Sequence, residues 1–508
     1  MQSSLLYEGT DWDFRTLQRS YEAIERIACE ELGLEVYSNR IEVITAEQML
    51  DVYAAHGMPI TYRHWSYGKR FLQHEISYRR GLVSLAYEVV INSNPCISYL
   101  MEENTATMQA MVIAHAAFGH NHFFKNNHLF RQWTDASAIL DYLEFARSYI
   151  ASCEDRYGTI AVERVLDAAH ALSRNGVHRH DGARPLNLKA DQKRERERRV
   201  YDERMFNDLW RTVPGTRQAA GASASSERRR KLGLPEENIL YFLEKISPKL
   251  QPWEREVIRI VRLVAQYFYP QPQVKLMNEG CATWVHQRIM VRLHETGQIS
   301  DAAFLEAIHS TSNVITQIDF DHPMASPGFN PYALGYAIMG DVERICTDPT
   351  EEDRRWFPDI AGNGDPVGTL RYAWANFRDE SFVLQFLSPA LMRRFRMFRL
   401  LDDAAEPTLL VDAIHDDAGY RAIRHSLARS YDPAEGDADV QVVDVDLAGD
   451  RRLMLQHRTR CGRLLEKRDA EATLAHVAAL WGYEVRLEEA EADTGVVLAT
   501  HAARPVVS

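Results

Sequence analysis

Residues 111–132 read "MVIAHAAFGHNHFFKNNHLFRQ" and place four of the chain's 19 histidines, His115, His120, His122 and His128, within 14 residues. Neutral imidazole nitrogen is a good ligand for zinc, iron or manganese, so the spacing is the first thing to test. A HExxH zinc helix uses histidines four apart, which face the same way, and takes its general base from the glutamate between them. Here "HAAFGH" separates His115 and His120 by five, about 140° of rotation on a regular helix. A single-turn π-bulge would restore the convergence, and such bulges are frequent at functional sites. Alternatively His115 and His122, seven apart, lie nearly in line. No glutamate follows His115, so this segment lacks the usual base.

A second constellation lies some 160 residues on. "MNEGCATWVHQRIM" (277–290) carries Glu279 and His286, seven residues apart and so two turns along one helix face. Asn278 is a good N-cap residue, and a carboxylate just inside the helix start is favoured by the dipole alone. Equally, "NEGxA" resembles the segment that supplies the glutamate ligand in some HExxH-type metallopeptidases. The candidate ligands are therefore His115, His120, Glu279 and His286, an N/O set suited to zinc, or to manganese or iron. His286 is either the fourth ligand or a supporting group. Glu88, in the apolar run "LAYEVVINSNP", needs a partner if buried, and is the candidate for the missing base. His122 and His128 read as bystanders. His170, His178 and His180 fall in polar sequence and read as solvated, and Asp379 in "DESF" reads as a helix cap. No P-loop, dinucleotide fingerprint or GxSxG elbow is present, so no nucleotide cofactor is expected.

The elements that must position these groups are mostly helices. Apolar residues recur at helical spacing over roughly 11–33, 45–57, 68–92, 104–124 and 135–172, then again from 236 to about 310, over 332–347 and over 379–400. Long strands are not evident before residue 400. Residues 173–235 are polar; Asn187 to Arg204 holds seven Lys/Arg and five Asp/Glu, the balance of a solvated insert rather than a nucleic-acid arm. After 405, "TLLVDAI", "VQVVDVDL", "RLMLQHR" and "YEVRLEEA" read as strands with helices between them. The expected fold is a mainly α, multi-helix body, zincin-like at its core if the two helices close a site, with a small C-terminal α+β domain. Its expected divisions are 1–172, the insert 173–235, 236–400 and 405–508.

Composition narrows the function class. Of the 508 residues 45% are hydrophobic and 26% charged, and the net charge is −13. That acidity argues against a protein built around nucleic acid or anionic lipid. No apolar run reaches the length of a membrane span. Six scattered cysteines without a CxxC pair point to reduced thiols in the cytoplasm.

Several stretches also carry a family resemblance. "YRHWSYGKRF", "YEVVINSNPCISYLMEENT", "AHAAFGHNHFFKNN", "MNEGCATWVH", "FNPYALGYAIMGDVERI" and "NFRDESFVLQFLSP" run in order from about 60 to 390. The chain resembles the stage V sporulation protein R (SpoVR) family, in the form found in non-sporulating Gram-negative bacteria. The resemblance implies a link to spore cortex formation in spore formers and to stress or stationary-phase physiology elsewhere. It also implies association with a PrkA-type serine kinase and a von Willebrand-like partner protein. It implies no particular reaction, which leaves a metal-dependent hydrolase-like site and a non-catalytic regulatory role as the two readings.

Overall fold

The computed structural model describes residues 5–55, 61–79, 88–179, 229, 232–318, 328–401, 408, 410–446, 449–459 and 463–505. The chain gathers into two compact units, each assembled from separated stretches: residues 1–144 with 270–435, and 145–269 with 436–508. No described helix is long and apolar enough to cross a membrane.

The first unit is mainly helical around a three-stranded sheet. Strands β1 (Asn39–Ile44), β2 (Glu88–Ile91) and β3 (Cys96–Met101) lie in the order β1-β3-β2. The central strand β3 is buried along its whole length, parallel to β1 and antiparallel to β2. The helical expectation over 68–92 is thus corrected: a helix spans Trp65–Arg79, and Glu88–Ile91 is a strand. Val89, Val90 and Ile91 favour extended backbone, and "NSNP" turns the chain back into β3 as a hairpin rather than ending a helix.

The helix Lys275–Glu295 is the centre of this unit. It buries Leu276, Met277, Cys281, Trp284, Val285, Ile289, Met290 and Leu293, side chains that point in every direction around its axis. A helix apolar on all sides belongs inside a protein. Its packing depends on glycine at two close approaches. A Cβ on Gly119 would fall 2.6 Å from Ala282 Cα, and one on Gly280 would fall 2.6 Å from the Gly335 carbonyl carbon in helix Pro331–Thr347.

The second unit holds the C-terminal sheet, β6 (Val440–Val445), β7 (Leu453–Thr459), β8 (Val485–Glu491) and β9 (Val497–Ala503), in the order β6-β7-β8-β9. Helices Thr159–Ala171, Ile239–Ile246, Pro252–Phe268 and Lys467–Trp481 belong to the same unit. The mainly α chain with a small strand-containing C-terminal part matches the expected fold class. The alternation that identified strands in "VQVVDVDL", "RLMLQHR" and "YEVRLEEA" holds, and β9 is a further strand that the reading missed. "TLLVDAI" forms β5 (Leu410–Ala413), which pairs with the short β4 (Arg399–Leu401) in the first unit. His178, expected in solvent, is buried, its Nε2 3.0 Å from Glu236 Oε1, because the chain around it packs beneath helix Ile239–Ile246. His180 lies outside the described residues, as does most of the polar insert.

Candidate metal centre

The segment Ala114–His120 is a π-helix, continuing from the α-helix Ala106–Ile113 and running on into Asn121–Asn126. Its wider turn does what a regular helix cannot do for residues five apart. The His115 and His120 rings lie edge-to-face with centroids 4.7 Å apart. Both are buried.

Glu88 meets them from the sheet. As the first residue of β2 it points to the same face as Val90, and both side chains line a cavity of about 470 Å³ together with His120, Asn278 and Glu279. One ligand-type atom each from Glu88, His115 and His120 lies within 4.8 Å of the others. The Glu88 Oε1 to His115 Nε2 distance is 3.6 Å. Two ligands on one tetrahedral zinc, each about 2.1 Å from the ion, would stand roughly 3.4 Å apart. Glu279 also approaches His120, with Oε2 3.6 Å from His120 Nε2. That oxygen is buried and has no hydrogen-bond partner among the described residues.

Behind the rings, His286 Nε2 lies 3.0 Å from the Thr311 hydroxyl, which is itself 3.8 Å from Met111 Sδ. His115 Nδ1 lies 2.9 Å from His286 Nδ1, and the Ala282 carbonyl accepts from both rings. Burial pushes His286 down to about 3, and burial with the neighbouring His120 and His286 holds His115 well below the usual imidazole range, so both are neutral at ordinary pH. On the other ring, His120 Nδ1 donates to Asn278 Oδ1 at 3.0 Å. The Nε2 of His115 faces Glu88 and that of His120 faces Glu279. Glu88 itself is pushed up to about 8 by burial, with the Glu279 charge adding to the effect.

The expected roles shift in this geometry. His286 stands behind His115 with both nitrogens engaged, and Glu88 joins the two histidines more closely than Glu279 does. Asn278 is not an N-cap: the helix begins at Lys275, and Asn278 lies in its first turn. The capping comes from Asp379, whose carboxylate accepts the Leu276 and Met277 N–H groups at 2.8 and 2.9 Å. Asp379 does not cap its own helix, which starts after Arg378. Burial raises it to about 7 despite those two bonds. His122 turns away to Glu35, whose backbone N–H donates to its Nδ1 at 3.0 Å. Thr311 and Asn278 were missed as participants, since a hydroxyl or amide that orients a histidine has no spacing signature.

These features define a mainly α protein with a buried cluster of histidines and carboxylates facing a cavity. The chain belongs to the SpoVR family: the family model described as SpoVR like protein matches residues 11–435, and SpoVR-like C-terminal domain matches 438–492. It is 48% identical over 493 residues, 97% of this chain and 95% of the relative, to "Uncharacterized protein YcgB" of Escherichia coli (strain K12). That relative comes from a non-sporulator, the form the sequence resembles. No solved structure matches, and the likeness to zincins rests on ligand types alone.

Proposed function

We propose that Glu88, His115 and His120 hold a divalent transition metal, zinc or alternatively manganese or iron, and that the site hydrolyses an amide or related bond. The observation that carries this reading is one ligand-type atom each from Glu88, His115 and His120 gathered within 4.8 Å, with the Nδ1 of each ring already held by a hydrogen-bond partner. Metal-binding histidines almost always have their second nitrogen tied in this way. Two histidines and one carboxylate, with further positions open, are a known catalytic set. The metal would bring the pKa of a water to about 7 and polarise the scissile carbonyl. Glu279, which lines the cavity and keeps a buried oxygen without a hydrogen-bond partner among the described residues, would take the proton from that water and pass it to the leaving amine. The roles expected of Glu88 and Glu279 thereby exchange, and the base missing from "HAAFGH" comes from the second helix.

The test is elemental analysis of protein purified without chelators or a His-tag, then loaded with Zn, Mn or Fe. A stoichiometric ion, abolished by Glu88→Gln or His120→Gln and retained in Glu279→Gln, supports the assignment. Substoichiometric metal after loading refutes it, and leaves a regulatory protein acting beside a PrkA-type serine kinase as the better account of the fold. Sporulation enters through the family name alone.

A further inference from the structure

The cavity beside the cluster also carries a cation, Lys275, the first residue of the helix that supplies Asn278 and Glu279. Its side chain is exposed and makes no ion pair among the described residues. Positions 275 and 279 are one turn apart on the same helix face, separated by about 6 Å along the axis. The same cavity wall is partly apolar, with Val90, Phe124 and Pro272. We infer that the site takes a small substrate with a carboxylate a few bonds from the reacting carbonyl, the carboxylate held by Lys275. This rests on the metal reading above and adds the substrate class to it.

Charge decides between kinds of anion. Glu88 and Glu279 as carboxylates, a divalent ion and Lys275 leave a single net positive charge in the cavity. A monoanion neutralises it, whereas a phosphate dianion overshoots beside two carboxylates. The helix start offers no compensation, because Asp379 already takes the Leu276 and Met277 N–H groups. An apolar spacer between the two polar ends suits the Val90 and Phe124 wall.

The experiment uses the full chain loaded with Co(II), whose absorption bands report ligands reaching the metal. Three hydroxamates are compared: propionohydroxamate, succinic monohydroxamate, which adds a carboxylate, and its phosphonate analogue. We expect the carboxylate to bind about fivefold more tightly than the neutral compound, the upper end for a partly exposed ion pair. Lys275→Met removes that preference and Lys275→Arg keeps it, with Co(II) content and the affinity for propionohydroxamate unchanged in both. Equal binding of the neutral and carboxylate compounds by wild-type protein overturns the inference while leaving the metal site standing. A preference that survives in Lys275→Met, or one for the phosphonate, overturns it too. Failure to take up Co(II) at all is the failure of the metal reading itself.

Discussion

Gly119 lies between the two histidines' helix and the helix that carries Glu279, and replacing it with alanine tests how tightly the site depends on their approach. The added Cβ would fall 2.6 Å from Ala282 Cα and 2.9 Å from Ala282 Cβ. Ordinary carbon contacts are about 3.5–4.0 Å, so the two helices must separate by roughly 1 Å. Neither side can yield cheaply, because Ala282 is backbone and β-carbon in a helix buried on all sides. Overpacking of this kind costs about 1–3 kcal/mol, offset by up to about 1 kcal/mol from alanine's better helix propensity. A net loss of about 1–2 kcal/mol follows, with a fall of at least about tenfold in metal affinity as His120 draws away from Asn278. Gly340→Ala is the control. It sits in helix Pro331–Thr347 where a Cβ meets nothing within 4 Å, so it should gain about 0.5–1 kcal/mol. Urea midpoints of the full chain and chelator competition read both effects. A Gly119→Ala protein as stable as wild type, with unchanged metal affinity, would refute the close-approach argument.

Three further outcomes are expected. Thr311→Val removes the hydroxyl partner of His286, which in turn stands behind His115, so metal affinity should fall roughly 10–100-fold while Thr311→Ser retains it; equal affinity in chelator competition contradicts the supporting role given to Thr311. In the second unit, burial acts to raise the Glu489 carboxyl, but the Leu465 N–H, His457 and His501 outweigh it and hold it below the usual range. Its contribution is therefore present above the unfolded glutamate's pKa of about 4.3 and lost as pH falls through the lower folded value. Glu489→Gln should destabilise by about 1–3 kcal/mol at neutral pH, and a gap in urea midpoints that fails to narrow below about pH 4 goes against this account. Deleting Ala117 places the two histidines four apart, the spacing a regular helix aligns; the variant should take up metal as the wild type is expected to, and a folded variant that takes up none would mean that the π-turn shapes the site rather than merely aligning it.

Much of the first unit could be read from patterns that are local. The first helix, which begins at Phe14 within the expected 11–33, and the left-handed Gly33 with its φ of +62° at the end of that stretch follow from periodicity and backbone freedom. The five-residue histidine spacing left a π-turn as one way to align His115 and His120, beside a His115–His122 pairing, and the structure has the π-turn. What was illegible depends on partners distant in sequence. Glu88–Ile91 is a strand because β3 pairs with it, and as a glutamate followed by three apolar residues it has no period of its own. Asp379 looks like a cap and is one, but for a helix 103 residues earlier in the chain. Glu88 and Glu279 could both be singled out as unusual carboxylates, yet which of them stands with the histidines is set by the register of β2 on β3, and no spacing along the chain encodes that.

The cluster is better evidence for a function than any one of its residues because its features are costly in the same place. A seven-residue π-helix gives up regular α hydrogen bonding. Glu88 is a largely buried carboxylate with no cation beside it among the described residues, and Glu279 keeps a buried oxygen without a donor among them. Gly119, a poor helix former, is required at the contact that brings the two helices together. A fold selected only for stability would align the histidines on an α-turn, neutralise the carboxylates with arginine as Glu244 is with Arg262, and fill the contact with alanine. Each of those substitutions would remove a ligand geometry or close the cavity. Departures from local rules gathered beside one 470 Å³ cavity, lined by Glu88, His120 and Glu279 among others, are what a working site looks like from the folding side, and the divalent cation proposed there would relieve the two carboxylates and use the imidazole nitrogens that face them.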